Sequence, residues 1–168
     1  MLKFTTYTDD KLKKLQKYTQ NSQYRVCDIT AGVLYMWKDI YNLSFAIFND
    51  TLILKCNFKN KITAFFMPVG KDVDGALKQI ETYSLKTKTP LNFMCVEERF
   101  LPLLTERYGQ IKAEYNRDFS DYLYDYNQLL TLVGKKFSGQ RNHINSFNKN
   151  YPSAKFKKLK KSDVLRVK

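Results

Sequence analysis

The sequence predicts an α/β fold of the α+β kind, a mixed sheet flanked by helices, and three observations carry that prediction. The periodic segments run in the order α-α-β-β-β-α-β-α-β-β, which places a meander of three strands before a helix and a further strand. Hydrophobic residues make up 43% of the chain and aromatic residues 15%, including twelve Phe and twelve Tyr, enough for a packed core. A length of 168 residues suits one domain.

Each element has its own signal. Thr8-Asp9-Asp10 reads as a helix start, and Lys11 to Tyr18 continue it with Leu12 and Leu15 on one face. Asp28 is expected to cap a second helix whose inward stripe is Val33, Met36, Trp37 and Ile40. The runs LSFAIF (43–48), LILKC (52–56) and TAFFMP (63–68) are β-prone, and Asn49-Asp50 and residues 57–61 supply turns between them. Asp72 or Asp74 caps a helix reaching about Lys86, with Leu77, Ile80 and Tyr83 inward. LNFMCV (91–96) reads as a buried strand. Pro102 and Gly109 frame another helix. IKAEYN (111–116) and DYLYDY (121–126) alternate like closing strands, and a helix over 127–133 leads into GKKFSGQRNHINSFNKNYP (134–152).

Charge divides the chain. Residues 135–168 hold eleven Lys/Arg against one acid, a net +10, whereas residues 1–134 carry only +3. A basic segment of this kind meets nucleic acid or anionic lipid, or is simply a solvated face. Three widely spaced cysteines, Cys27, Cys56 and Cys95, and a single histidine fall short of a structural zinc site. They fit reduced thiols in a cytoplasmic protein. No apolar run reaches the roughly 18 residues of a membrane span, so no integral membrane segment is expected.

The element order is similar to the GNAT acyltransferases, whose acyl-CoA pyrophosphate sits on backbone N–H groups before the helix that follows the meander. The corresponding loop here, PVGKDVDGAL (68–77), offers Gly70, Lys71 and Gly75, but Asp72 and Asp74 would repel a pyrophosphate at that helix start. No cofactor and no metal is therefore expected. Glu97 and Glu98 are adjacent, so on a strand they point to opposite faces and form no dyad. Helix capping before Pro102 is the expected role. Nothing in the sequence brings His143 to a cysteine.

On a helical wheel Phe137, Ile144, Phe147 and Tyr151 share one face of the basic segment, with Arg141 in the same stripe. An inward guanidinium needs a partner. Asp121 and Asp125 are the expected partners, in a structural ion pair. The alternative places Arg141 and His143 in a cleft for an acidic group.

CDITAGVLYMW (27–37) and DYLYDYNQLLTLVGKKFSGQRNHINSFNKNYP (121–152) together resemble an uncharacterised bacterial family similar to the C-terminal domain of phosphatidylglycerol lysyltransferase. The resemblance covers residues 3–152 and implies two tandem GNAT-like lobes, of which this chain matches the first. It implies that Lys136, Arg141, Asn142 and His143 occupy the family's motif positions and are candidates for substrate binding. The expected organisation is a GNAT-like lobe over 1–134, a basic amphipathic helix over 135–152 docking on it, and a basic linker over 153–168 toward a second lobe. The expected function is that of one lobe of an aminoacyl- or acyl-transferase, inactive in isolation. Expected partners are a second GNAT-like lobe or a second copy, and tRNA or anionic lipid. A basic module binding RNA or lipid head groups through 135–168 is the alternative.

Overall fold

The computed structural model describes residues 2–20, 22–58 and 62–166. The chain divides into two compact units, residues 1–121 and residues 122–168.

The first unit is built on an antiparallel sheet, β1 (Thr5–Thr6), β2 (Ser44–Phe48), β3 (Thr51–Phe58) and β4 (Ile62–Phe65) in that order, with β5 (Val69–Gly70) also on β3. The meander expected from the sequence is present. Asn49 and Asp50 both adopt positive φ, 43° and 54°. That backbone twist suits a two-residue hairpin turn, and it sets Phe48 opposite Thr51. The third run is broken rather than continuous. Between the pairs Lys55–Phe65 and Leu52–Val69 the outer strand carries one extra residue, a bulge at Phe66-Met67-Pro68. Pro68 has no N–H to give to a ladder, so it suits this edge position.

β3 is covered on both faces. Leu52, Leu54 and Cys56 point to one core with Tyr7, Leu15, Ile29, Leu34 and Phe45, beneath α1 (Leu12–Thr19) and α2 (Ala31–Trp37). Ile53 points to the other core with Phe65, Ala76, Leu77 and Ile80, beneath α3 (Val73–Thr87). Full burial of each Leu, Ile or Phe side chain among them contributes about 1.5–3 kcal/mol. Asp72 caps α3 by accepting from the Gly75 N–H at 2.8 Å, as one of the two expected acids. Its carboxylate also accepts from Asn49 at 2.9 Å, tying the helix start to the hairpin turn. Lys55 anchors the other half of α3, donating to the Tyr83 hydroxyl at 2.9 Å with its ammonium 4.4 Å from the Phe4 ring centre.

Several sequence expectations are corrected. The α2 cap is Thr30, whose hydroxyl accepts from Val33, and α2 begins at Ala31. That start turns Leu34 inward and leaves Met36, Trp37 and Ile40 exposed, so the predicted stripe is not the core face. Residues 91–96 form no full strand. Phe93 makes one parallel bridge to Phe65, and Cys95, at φ 52°, turns the chain away. The named strands pair antiparallel throughout, and this isolated bridge is a parallel contact beside them. Residues 111–116 and 121–126 form no strand: Tyr115, Tyr122, Leu123 and Tyr126 are exposed, and alternation without a neighbouring edge does not make a ladder. Glu97 makes no cap. Its carboxylate accepts from the Arg25 N–H at 2.8 Å and pairs with Arg99, fastening residues 23–25 to the start of α4 (Leu101–Tyr108).

The second unit contains α5 (Tyr126–Thr131) and α6 (Ser138–Asn150), joined by a turn through Leu132 and Gly134, both at positive φ. Asp125 caps α5 through the Gln128 N–H at 2.9 Å. Residues 153–160 are irregular, and a short 3-10 segment follows at Lys161–Arg166. Asp163 holds it, accepting from the Lys160 N–H and from Lys157, each at 3.0 Å.

Candidate functional site

The four motif residues do different things. Arg141 is part-buried, as its place in the stripe requires, but its partners are neither Asp121 nor Asp125. Its guanidinium donates to the carbonyls of Leu132 and Gly134, the second at 2.9 Å. The correction has a simple cause. Both aspartates are engaged elsewhere, and α5 ends in carbonyls that lack intrahelical donors. One terminal guanidinium nitrogen, with its two N–H groups, reaches two such oxygens at once. Arg141 therefore closes the α5–α6 turn.

The other three face solvent. Lys136 donates to the neutral Gln128 side chain at 2.8 Å, so no carboxylate offsets its charge there. The Asn142 and His143 side chains are exposed and make no hydrogen bond with the described residues. Ile144, Phe147 and Tyr151 keep about half of their surface in solvent, and the Phe147 and Tyr151 rings lie 5.1 Å apart. The second unit holds eleven Lys/Arg against two acids, Asp125 and Asp163, and both acids are occupied by local hydrogen bonds. The result is a strongly basic surface with exposed aromatic rings.

A second cluster, in the first unit, was not foreseen. The Cys27 thiol donates to Asp121 at 2.9 Å, and the Cys27 N–H donates to the same carboxylate at 3.1 Å. These residues are 94 positions apart. No spacing rule joins them, although each stands in one of the two stretches that carried the family resemblance. The Asp121 hydrogen bond, with burial, pushes the Cys27 thiol up to about 11, so it is a protonated donor and not a nucleophile. Beside it, burial and the nearby Asp121 charge raise the Asp28 carboxyl above its ordinary value. Burial and then Asp28 push the Cys95 thiol up to about 12. The Cys56 and Met94 sulfurs lie 3.0 Å apart under the same corner.

The two aspartates have opposite pH signatures. Asp121, lowered by its Cys27 hydrogen bonds, contributes stability that is present above the unfolded value and lost as pH falls through its native value. Asp28, raised, contributes stability only in its protonated form, below the unfolded value, and loses it as pH rises through its native value. Asp28→Asn should therefore melt higher than the parent at about pH 7, with the gap closing toward about pH 4. Asp121→Asn should melt lower at about pH 7, with its gap also closing in acid. Thermal midpoints across that range check both signs.

Asp72 and Asp74 stand at the start of α3 as structural residues. Asp72 is the cap. Asp74 pairs with Lys78 at 2.9 Å and with Arg107, which hold its carboxyl below the usual range.

Comparison with known proteins places these features in context. Residues 19–165 match the family described as phosphatidylglycerol lysyltransferase, C-terminal. A crystal structure of a conserved protein of unknown function from Bacteroides thetaiotaomicron VPI-5482 is similar, with a TM-score of 0.84 and 28% identity. The match covers 99% of this chain and 57% of that one, so this chain spans little more than half its length. No curated protein matches the chain. The α+β architecture, an antiparallel sheet flanked by helices, is consistent with a GNAT-like fold.

Proposed function

The chain belongs to the family of the phosphatidylglycerol lysyltransferase C-terminal domain, and on that premise we propose that it is one GNAT-like lobe of an aminoacyl- or acyl-transferase. In this reading the lobe shapes the acceptor side of a reaction that passes an activated acyl group to a hydroxyl or amine, and it does not complete that reaction alone. Lys136, Asn142 and His143 are its substrate-facing residues, and Arg141 holds the helix that presents them.

One observation supports this reading above the others. Of the four motif side chains, Arg141 is held by backbone carbonyls and Lys136 meets only the neutral Gln128, while the Asn142 and His143 side chains stay exposed on α6. The uncompensated charge around them suits a phosphodiester, whether of tRNA or of an anionic lipid head group. The half-exposed stripe Ile144–Phe147–Tyr151 is the face through which α6 docks on folded protein, and residues 153–168 are the linker toward a second lobe. No helix among the described residues is long and apolar enough to cross a membrane, so a lipid substrate would be met at the bilayer surface.

Binding tests the assignment. Lys136→Ala/His143→Ala should weaken association with tRNA or with phosphatidylglycerol vesicles by about tenfold, the worth of one or two charge-assisted contacts. Lys157→Ala, whose charge Asp163 already offsets, should change it little. Equal losses for the two variants would reduce the site to diffuse charge. That outcome favours the plain basic module over the transferase lobe.

A further inference from the structure

The tyrosines that open the second unit carry an inference of their own. Residues 120–125 belong to no helix or strand, and the backbone is extended at both ends of the segment, at Ser120 and Asp125. In extended backbone, residues two apart project to the same side, about 6.6 Å from each other. Tyr122 and Tyr124 keep that spacing: their ring centres lie 6.2 Å apart and their planes meet at 20°. They are 75% and 59% exposed, and Tyr126, next in the series, is 74% exposed. Rings so exposed add little burial to the fold.

Charge narrows the choice of ligand. The second unit holds eleven Lys/Arg against Asp125 and Asp163. Both acids are taken up locally, by the Gln128 and Lys160 N–H groups. Such a unit attracts a polyanion, either a nucleic acid or an anionic bilayer.

Ring geometry separates the two. Bases along a nucleic-acid strand repeat at about 3.4 Å. Two near-parallel rings 6.2 Å apart therefore stand roughly two base steps from each other. Every base has a π-face to lay on a tyrosine ring. A bilayer offers no planar groups at that repeat. Within a duplex each base is paired and covered by its neighbours, so the strand that stacks here is an unpaired one.

We propose that Tyr122 and Tyr124 form a stacking site for the unpaired bases of a single-stranded nucleic acid, its phosphates neutralised by the Lys and Arg side chains of residues 135–168. The site lies outside Lys136, Arg141, Asn142 and His143, and it does not rest on the transferase reading.

Fluorescence anisotropy compares the full 168-residue chain on a labelled RNA of about 12 nucleotides and on the same RNA annealed to its complement. Charge alone favours the duplex, whose phosphates are denser. Stacking reverses that order, so the single strand is expected to bind more tightly. Tyr122→Ala/Tyr124→Ala should lose about tenfold or more of the single-strand affinity and leave duplex binding unchanged. Tyr122→Phe/Tyr124→Phe, which keeps both rings, should bind as the parent does. Both variants should melt with the parent, because the rings are exposed. Undiminished single-strand binding by the alanine variant would overturn the proposal, as would a duplex bound as tightly as the single strand. So would an alanine variant that keeps its RNA affinity and loses binding to phosphatidylglycerol vesicles, which assigns the rings to a bilayer.

Discussion

Arg141→Ala should speed amide exchange across α5 and α6 by about tenfold or more while leaving the sheet of the first unit protected. The guanidinium makes two charge-assisted hydrogen bonds to the carbonyls of Leu132 and Gly134. Hydrogen bonds to a charged group contribute about 1.5–3 kcal/mol, which sets the scale of the opening equilibrium. Water reaches part of this turn and offsets some of the loss, so the lower end of that range applies. Arg141→Lys should rescue only partly, because the lysine ammonium sits one bond nearer the backbone than the terminal guanidinium nitrogen that makes both bonds. Lys149→Ala, on an exposed position of the same helix, should change exchange little. Asp125→Ala should loosen the N-terminal end of α5 by removing its cap, at about 1 kcal/mol. Its cost should add to that of Arg141→Ala, because the two residues are not partners. Strong coupling between them would restore the ion pair that the hydrogen bonds argue against.

The larger effect concerns salt. If six of the exposed Lys and Arg side chains of residues 122–168 meet phosphates, binding to tRNA should fall about a thousandfold between about 50 and about 200 mM salt. The same steepness should hold for anionic vesicles, and vesicles of zwitterionic lipid should not bind measurably. A nearly flat salt dependence would mean that the exposed rings Tyr122, Tyr124 and Phe156, not the charges, make the contact. Fluorescence anisotropy with a labelled tRNA, repeated over a salt series, yields the slope and therefore the number of phosphates met.

Local patterns in the sequence predicted the parts of the fold that local chemistry decides. The meander was legible because Asn49-Asp50 accepts positive φ and because β3 is buried on both faces. The α3 cap was legible because an aspartate three residues before Gly75 satisfies an N–H that would otherwise be free. What failed depended on where elements begin or on what lies beside them. A shift of the α2 start from Asp28 to Ala31 rotated Met36 and Ile40 out of the core. The 91–96 run has strand composition, but the left-handed turn at Cys95 comes from tertiary packing and has no glycine to announce it. The alternating tyrosines of 121–126 carry the pattern of a strand without an edge to pair with. In the candidate site, the inward position of Arg141 was readable from the helical wheel. Its partners were not, because backbone carbonyls leave no mark in a sequence. The Cys27–Asp121 contact was beyond any spacing argument, although both residues stand in the stretches that carried the resemblance.

The most direct test of the transferase reading is the rate of lysyl transfer from lysyl-tRNA to phosphatidylglycerol vesicles, measured with the 168-residue chain alone and with the endogenous assembly purified from its own cells. The account predicts no transfer by the chain alone, and transfer by the assembly that falls by about tenfold or more in Lys136→Ala/His143→Ala, with melting behaviour unchanged. It predicts little change in Lys157→Ala. Transfer by the chain alone, or transfer by the assembly indifferent to Lys136 and His143, would contradict it.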